Sequence, residues 1–134
     1  MKLDLEKIQQ INLFEKVTKS LVKDCFINND LYLFVVEPGN ASKAIGKQGI
    51  NIRKMAKLLR KKIKVVEYTE NLENFLTSLI FPLKMKEIVI NESIEVSADT
   101  KTKGLLIGRN RKNLTFYNEI LKKYFNKELK IKNG

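Results

Sequence analysis

An internal repeat of 62 residues limits what this chain can fold into more than any other feature. Around Gly46 the sequence reads Ala44-Ile45-Gly46-Lys47-Gln48-Gly49-Ile50-Asn51-Ile52-Arg53-Lys54-Met55. Around Gly108 it reads Leu106-Ile107-Gly108-Arg109-Asn110-Arg111-Lys112-Asn113-Leu114-Thr115-Phe116-Tyr117. A shift of 62 sets Ile45 on Ile107, Ile52 on Leu114, Met55 on Tyr117 and Leu59 on Leu121. Upstream the same shift sets Asn12 on Asn74, Phe14 on Leu76, Val17 on Leu79, Leu21 on Leu83 and Asn29 on Asn91. Chance supplies a few such matches, but not apolar positions aligned over most of both halves. The chain therefore reads as two copies of one supersecondary unit.

The coarse elements follow the same register. Leu5, Ile8, Ile11, Phe14, Val17 and Leu21 recur mostly at three- and four-residue steps and predict a helix. Lys23–Ile27 and Leu31–Val36 are β-rich and flank Asn28-Asn29-Asp30, which predicts a hairpin. Pro38-Gly39-Asn40 breaks the strand and precedes a short helix, Ala41–Ile45. Ile50–Arg60 is a second helix with Ile52, Met55, Ala56 and Leu59 on one face, and Lys62–Tyr68 is a strand. The second half predicts a helix over Glu70–Phe81 capped by Thr69 and ended by Pro82. Strands over Met85–Ile90 and Ser93–Ala98 follow, then helices over Lys101–Ile107 and Lys112–Phe125, and a strand over Glu128–Lys132. The long helix should bury Leu114, Tyr117 and Leu121, whereas Asn118 places a polar group where Ala56 faces the core. The expectation is an α+β chain of two domains, residues 1–69 and 70–134, each ordered α-β-β-α-α-β. No Gly/Ser-rich linker separates them, so rigid docking is expected. Docking would enlarge a core that units of about 60 residues barely supply alone.

Composition excludes several chemistries. There is no His, no Trp and a single cysteine, Cys25. A Cys/His zinc site, a Ser-His-Asp triad, a Cys-His dyad and an internal disulfide framework cannot be built from one such chain. The longest clean apolar run, Leu31–Val36, is far too short for a bilayer. The N-terminus alternates charged and apolar residues and lacks the apolar centre of a signal peptide. A soluble cytoplasmic protein is expected, with no cofactor, metal, membrane or small-molecule substrate. Cys25, Tyr32, Phe34, Phe75 and Phe116 read as packing residues.

Charge points to a partner. The chain carries 26 Lys and Arg against 15 Asp and Glu, a formal net charge of +11. That excess suits a polyanion, most often nucleic acid. Nine basic residues and no acidic one lie between Ala41 and Lys64; five and none lie between Thr100 and Asn118. Both clusters surround the repeated loops, as expected of a groove that tracks a phosphate backbone. In the first loop, Gly46 and Gly49 permit a sharp turn and a close backbone approach. The helix that follows offers unpaired N–H groups and the positive end of its dipole. Lys47 adds charge at the tip and Lys43 lies one turn earlier. Arg53, Lys54, Lys57, Arg60 and Lys61 avoid the core face and form a basic flank; Arg60, Lys61 and Lys62 read equally well as solvated surface.

Ile45-Gly46-Lys47-Gln48-Gly49-Ile50-Asn51-Ile52 resembles the KH-domain signature, Ile-Gly-x-x-Gly followed by spaced apolar residues. The order α-β-β-α-α-β is that of the type II KH fold, and two such units resemble the paired KH domains of the NusA family, most of all its short archaeal members. The similarity covers essentially the whole chain and includes Ile11-Asn12-Leu13-Phe14-Glu15, Val22-Lys23-Asp24-Cys25 and Val65-Val66-Glu67-Tyr68. The resemblance implies binding of single-stranded RNA or DNA, with Gly46–Gly49 clamping the backbone of about four nucleotides. Ile45 and Ile50 would meet base faces, Arg53 and Lys54 would reach backbone or base edges, and Lys47 and Gln48 would be the variable pair. RNA polymerase enters as a partner by resemblance alone.

The second loop departs from the signature. Gly108-Arg109-Asn110-Arg111 has arginine in place of the second glycine, which costs strain if the site needs positive φ. Arg109, Arg111 and Lys112 are nonetheless cations suited to phosphate. Either this loop binds through side chains or it is mainly structural; weaker or altered binding is the favoured expectation. Three function classes follow: a NusA-type factor acting on nascent transcript, a KH module of the ribosome or its assembly, and an enzyme on nucleotides. Catalysis is rejected, because Gly46–Gly49 does not satisfy the Gly-x-x-x-x-Gly-Lys-Ser/Thr phosphate loop and no carboxylates cluster to hold Mg²⁺.

Overall fold

The computed structural model describes residues 4–132, so Met1 to Leu3 of the alternating N-terminus lie outside the described residues. The chain divides between Glu70 and Asn71 into two compact units.

In the first unit α1 spans Leu5–Thr18, and the Asp4 side chain accepts a hydrogen bond from the Lys7 amide at 3.2 Å. The expected helix through Leu21 stops earlier. Lys19 turns left-handed at φ 60°, and Thr18 donates its hydroxyl to the Phe14 carbonyl at 2.8 Å while pairing with Ser20 at 2.6 Å. Leu5, Ile8 and Leu21 are exposed, so the periodic stripe packs mainly around Phe14, with Ile11 and Val17 beside it. Strands β1 (Val22–Asn28) and β2 (Leu31–Val36) pair antiparallel, and β3 (Lys62–Glu67) adds parallel to β2. The intervening chain forms α2 (Ala41–Ile45) and α3 (Ile50–Leu59). Phe14, Cys25, Tyr32, Phe34, Val36, Ala44 and Met55 make the core between helices and sheet. The rings of Phe14 and Phe34 stack with centroids 4.1 Å apart. Burial pushes the Cys25 thiol up to about 12, so it packs as an inert apolar group. The Tyr32 hydroxyl donates to Glu6 at 3.0 Å and ties α1 to the sheet.

The second unit repeats the order. Helix α4 spans Leu72–Ile80, and its cap is Asn71, which accepts from the Asn74 amide at 2.9 Å. The expected Thr69 cap is corrected accordingly: an asparagine two residues later offers the same short acceptor. Strand β4 is Glu87–Ile90 and β5 is Ile94–Ser97, both shorter than the spans predicted. Helix α5 runs Thr100–Ile107 from an Asp99 cap, α6 runs Lys112–Phe125, and β6 is Leu129–Ile131. The sheet order is β4-β5-β6, antiparallel then parallel, matching the first unit. Helix α6 buries Leu114, Phe116, Ile120 and Leu121, while Tyr117, expected on the core face, is only half-buried. Asn118 is satisfied at both ends of its amide: Oδ1 accepts from the Leu129 N–H at 2.6 Å and Nδ2 donates to the Leu129 carbonyl at 3.3 Å. The polar residue in an apolar position is therefore the splice between α6 and β6.

The two copies agree in register through the helix that follows each loop, then separate. Helix α3 has 10 residues and α6 has 14. The difference is about one helical turn, so the chain leaves both helices on the same side and enters the third strand in the same place.

Candidate nucleic-acid interface

The first loop joins α2 to α3. Gly46 leaves α2 at φ 78°, ψ 168°, Gln48 sits at φ 54°, ψ 28°, and Gly49 at φ 74°, ψ 18°. A Cβ built on Gly46 would lie 2.9 Å from the Asn51 Cγ and Nδ2 and from the Ile50 Cγ2, so only glycine fits. The loop's internal hydrogen bonds use three amides: Gly46 to the Ser42 carbonyl at 2.9 Å, Gly49 to the Gly46 carbonyl at 3.0 Å, and Ile50 to the Lys47 carbonyl. Lys47 and Gln48 are exposed at the tip, and none of these three bonds uses their N–H groups. Asn51 reaches back and donates Nδ2 to the Lys43 carbonyl at 2.8 Å. Arg53 donates to the Gln48 carbonyl, folding its guanidinium over the loop.

The flanks are exposed. Lys43, Lys47, Arg53, Lys54, Lys57 and Arg60 all face solvent. Ile45 is 37% and Ile50 50% exposed, which leaves two apolar faces next to the cations. Lys61 lies 3.9 Å from Asp30, a surface pair of little energetic weight.

The second loop has nearly the same backbone. Gly108 has φ 74°, ψ 171°, Asn110 φ 57°, ψ 30°, and Arg111 φ 61°, ψ 22°. Arginine thus occupies the left-handed position that Gly49 holds in the first loop, and the expected strain is present. The Gly108 amide donates to the Gly104 carbonyl at 2.8 Å and the Arg111 amide to the Gly108 carbonyl at 3.2 Å. Asn113 donates to the Leu105 carbonyl at 2.9 Å, and a Cβ on Gly108 would lie 2.7 Å from the Asn113 Cγ. Arg109, Asn110, Arg111 and Lys112 are all exposed. The structure thus groups Lys43, Ile45, Gly46, Lys47, Gln48, Gly49, Ile50, Arg53, Lys54 and Lys57 around one loop, and Gly108–Lys112 around the other.

Sequence reasoning missed Asn51 and Asn113. A polar residue in the first turn of a helix reads as surface, and only its identity across the repeat marked it. It also missed Leu105, 47% exposed on α5 at the position equivalent to Lys43. Among the described residues no group of three or more His, Cys, Asp or Glu could hold a metal ion. No described helix is long and apolar enough to cross a membrane.

Comparison with known proteins agrees with this geometry. The family described as NusA-like second KH domain matches residues 14–73, which include the first loop. A probable transcription termination protein NusA of Methanococcus vannielii is 30% identical over 119 residues, 85% of this chain and 69% of that protein. Its namesake in Methanocaldococcus jannaschii is 27% identical over 129 residues, covering 92% and 70%. The crystal structure of APE1850 superposes with a TM-score of 0.75 at 28% identity, covering 97% of this chain and all of that one. With the repeated α-β-β-α-α-β units and the Gly-x-x-Gly turn between helices, these similarities place the chain in the NusA family of KH-domain proteins.

Proposed function

We propose that the first loop clamps single-stranded RNA and that the chain acts on nascent transcript in elongation, termination or antitermination. The protein is an RNA-binding factor of the NusA type. One observation carries the clamp: the amides of Lys47 and Gln48 stand exposed at the tip of a glycine-bounded turn, within a stretch, Ala41–Lys64, of nine basic residues and no acidic one. Phosphate oxygens accept from those N–H groups, assisted by the N-terminus of α3. Lys43, Lys47, Arg53, Lys54 and Lys57 supply phosphate contacts, and Ile45 and Ile50 meet base faces. Gly46 and Gly49 give the backbone its close approach. In the second loop Arg109, Asn110, Arg111 and Lys112, turned by Gly108, bind phosphate through side chains and more weakly.

Residues 1–69 and 70–134 act in this reading as tandem type II KH domains docked rigidly together. The protein works in the cytoplasm, catalyses nothing, and meets RNA polymerase as its protein partner. The names of its relatives favour transcription over the ribosomal alternative. Crosslinking in cells followed by sequencing of the bound RNA tests the role. Reads gathered near transcript 3′ ends support it, whereas reads dominated by ribosomal RNA overturn it in favour of ribosome assembly.

A further inference from the structure

Between Gly46 and Met55, only two residues are identical to their partners 62 positions on: Gly46 with Gly108, and Asn51 with Asn113. These two are also the pair that touch. The missing Cβ of each glycine faces the asparagine amide, at 2.9 Å in the first loop and 2.7 Å in the second. Each asparagine donates Nδ2 to a carbonyl eight residues earlier, Lys43 at 2.8 Å and Leu105 at 2.9 Å. Those carbonyls lie in the last turn of α2 and of α5, where a helix leaves acceptors unpaired. The asparagine, in the first turn of the following helix, satisfies an acceptor that the preceding helix cannot. Ile45 and Ile107 are also identical, but the chemistry changes at other positions around this pair: Gly49 against Arg111, Ile50 against Lys112, Arg53 against Thr115. Yet the backbone torsions of the two loops stay nearly equal.

We infer that Asn51 and Asn113 are positioning residues that lock the two helices across each loop and so aim the tip amides at the ligand, without touching it. In its consequence for RNA this rests on the clamp proposed above; the lock itself does not. A one-residue chemistry suffices. The glycine allows the asparagine to pass beneath the turn, and the amide closes the bridge that fixes the turn's exit angle. A preformed turn lowers the ordering cost of binding.

The test is Asn51→Ala, with Asn113→Ala as the parallel variant should the first fail to fold. Two readouts are taken well below the melting transition. In the free protein, hydrogen exchange of the hydrogen-bonded Gly49 and Ile50 amides should accelerate at least several-fold in Asn51→Ala while the β-strand amides stay protected; Asn113→Ala should do the same for Arg111 and Lys112. With a short unstructured RNA, Asn51→Ala should bind about tenfold more weakly, while the slope of log affinity against log salt stays that of the wild type, because no phosphate contact is lost. Loop exchange that is unchanged, or that rises only in step with the strands, overturns the lock. A salt slope that falls by about 0.7 overturns the positioning role and makes Asn51 a direct phosphate ligand. Should the unaltered protein fail to bind RNA, the clamp is wrong, and exchange in the free protein still decides the lock.

Discussion

The two loops share a backbone and differ in the surface they carry. At equivalent places Gly49 faces Arg111, Ile50 faces Lys112, Arg53 faces Thr115 and Lys43 faces Leu105. The first loop presents a bare glycine, exposed isoleucines on both sides and exposed tip amides. The second presents three cations at the tip and an exposed leucine on the preceding helix. The turn is therefore held by a minimal set, one glycine and one asparagine per copy, and the remaining positions are free to set what is bound. The first surface suits backbone amides and base faces. The second suits charge.

The largest expected effect tests the shared part. Gly46→Ala and Gly108→Ala each place a methyl into the asparagine amide at a backbone conformation reserved for glycine, and each should cost about 2–3 kcal/mol of stability in its own unit. Urea melts of the two variants check this. A small cost at one site alone would break the equivalence of the turns. Next comes the unshared surface. Replacing Arg109, Arg111 and Lys112 together by glutamine should lower the salt slope of RNA binding by about 2, whereas Ile50→Ala should weaken binding with the slope intact. Equal slopes in both variants would show that the loops do not divide charge from apolar contact.

A smaller effect follows from strain. Arg111→Gly relieves a left-handed arginine and should stabilise the second unit by about 0.5–1 kcal/mol while weakening RNA binding. Gly49→Arg should do the reverse to stability without disrupting the turn, because a Cβ there meets only Arg53 Nη1, at 3.5 Å. Thermal melts read both. The smallest effect distinguishes the sheets. Burial of Lys64 on β3 lowers its pKa to about 8 from the usual 10.5. The folded state thus disfavours the charged amine that the unfolded chain keeps, so stability rises as pH climbs from about 8 towards 10.5. Lys64→Met should flatten that rise and add less than about 1 kcal/mol at neutral pH, since the side chain retains some solvent. The matching strand of the second unit carries exposed Lys130 beside Glu95 and needs no such correction.

Much of this was legible in the sequence because the repeat supplied two readings of each element. The order of helices and strands, the place of both loops, and the strain at Arg111 all follow from residue types whose backbone preferences are strong. Element ends were less legible. Leu21 kept the helical period of α1, but Lys19 turned left-handed and Thr18 and Ser20 tied off the chain before it. Thr69 and Asn71 both offered a cap, and only tertiary placement of α4 chose the second. Asn118 looked like a flaw on a core face because its partner, the backbone of Leu129, is eleven residues away. Asn51 hid for the same reason: its role depends on a carbonyl in another helix.

The central claim is that the tip of the first loop grips the phosphate backbone, and the most direct measurement puts negative charge there. Lys47→Asp with Gln48→Asp, followed by fluorescence anisotropy on a short unstructured RNA, should weaken binding at least tenfold. The same change at Arg109 and Asn110 should weaken it less. An isotherm left unchanged by the first pair, with the fold intact by circular dichroism, would contradict the account.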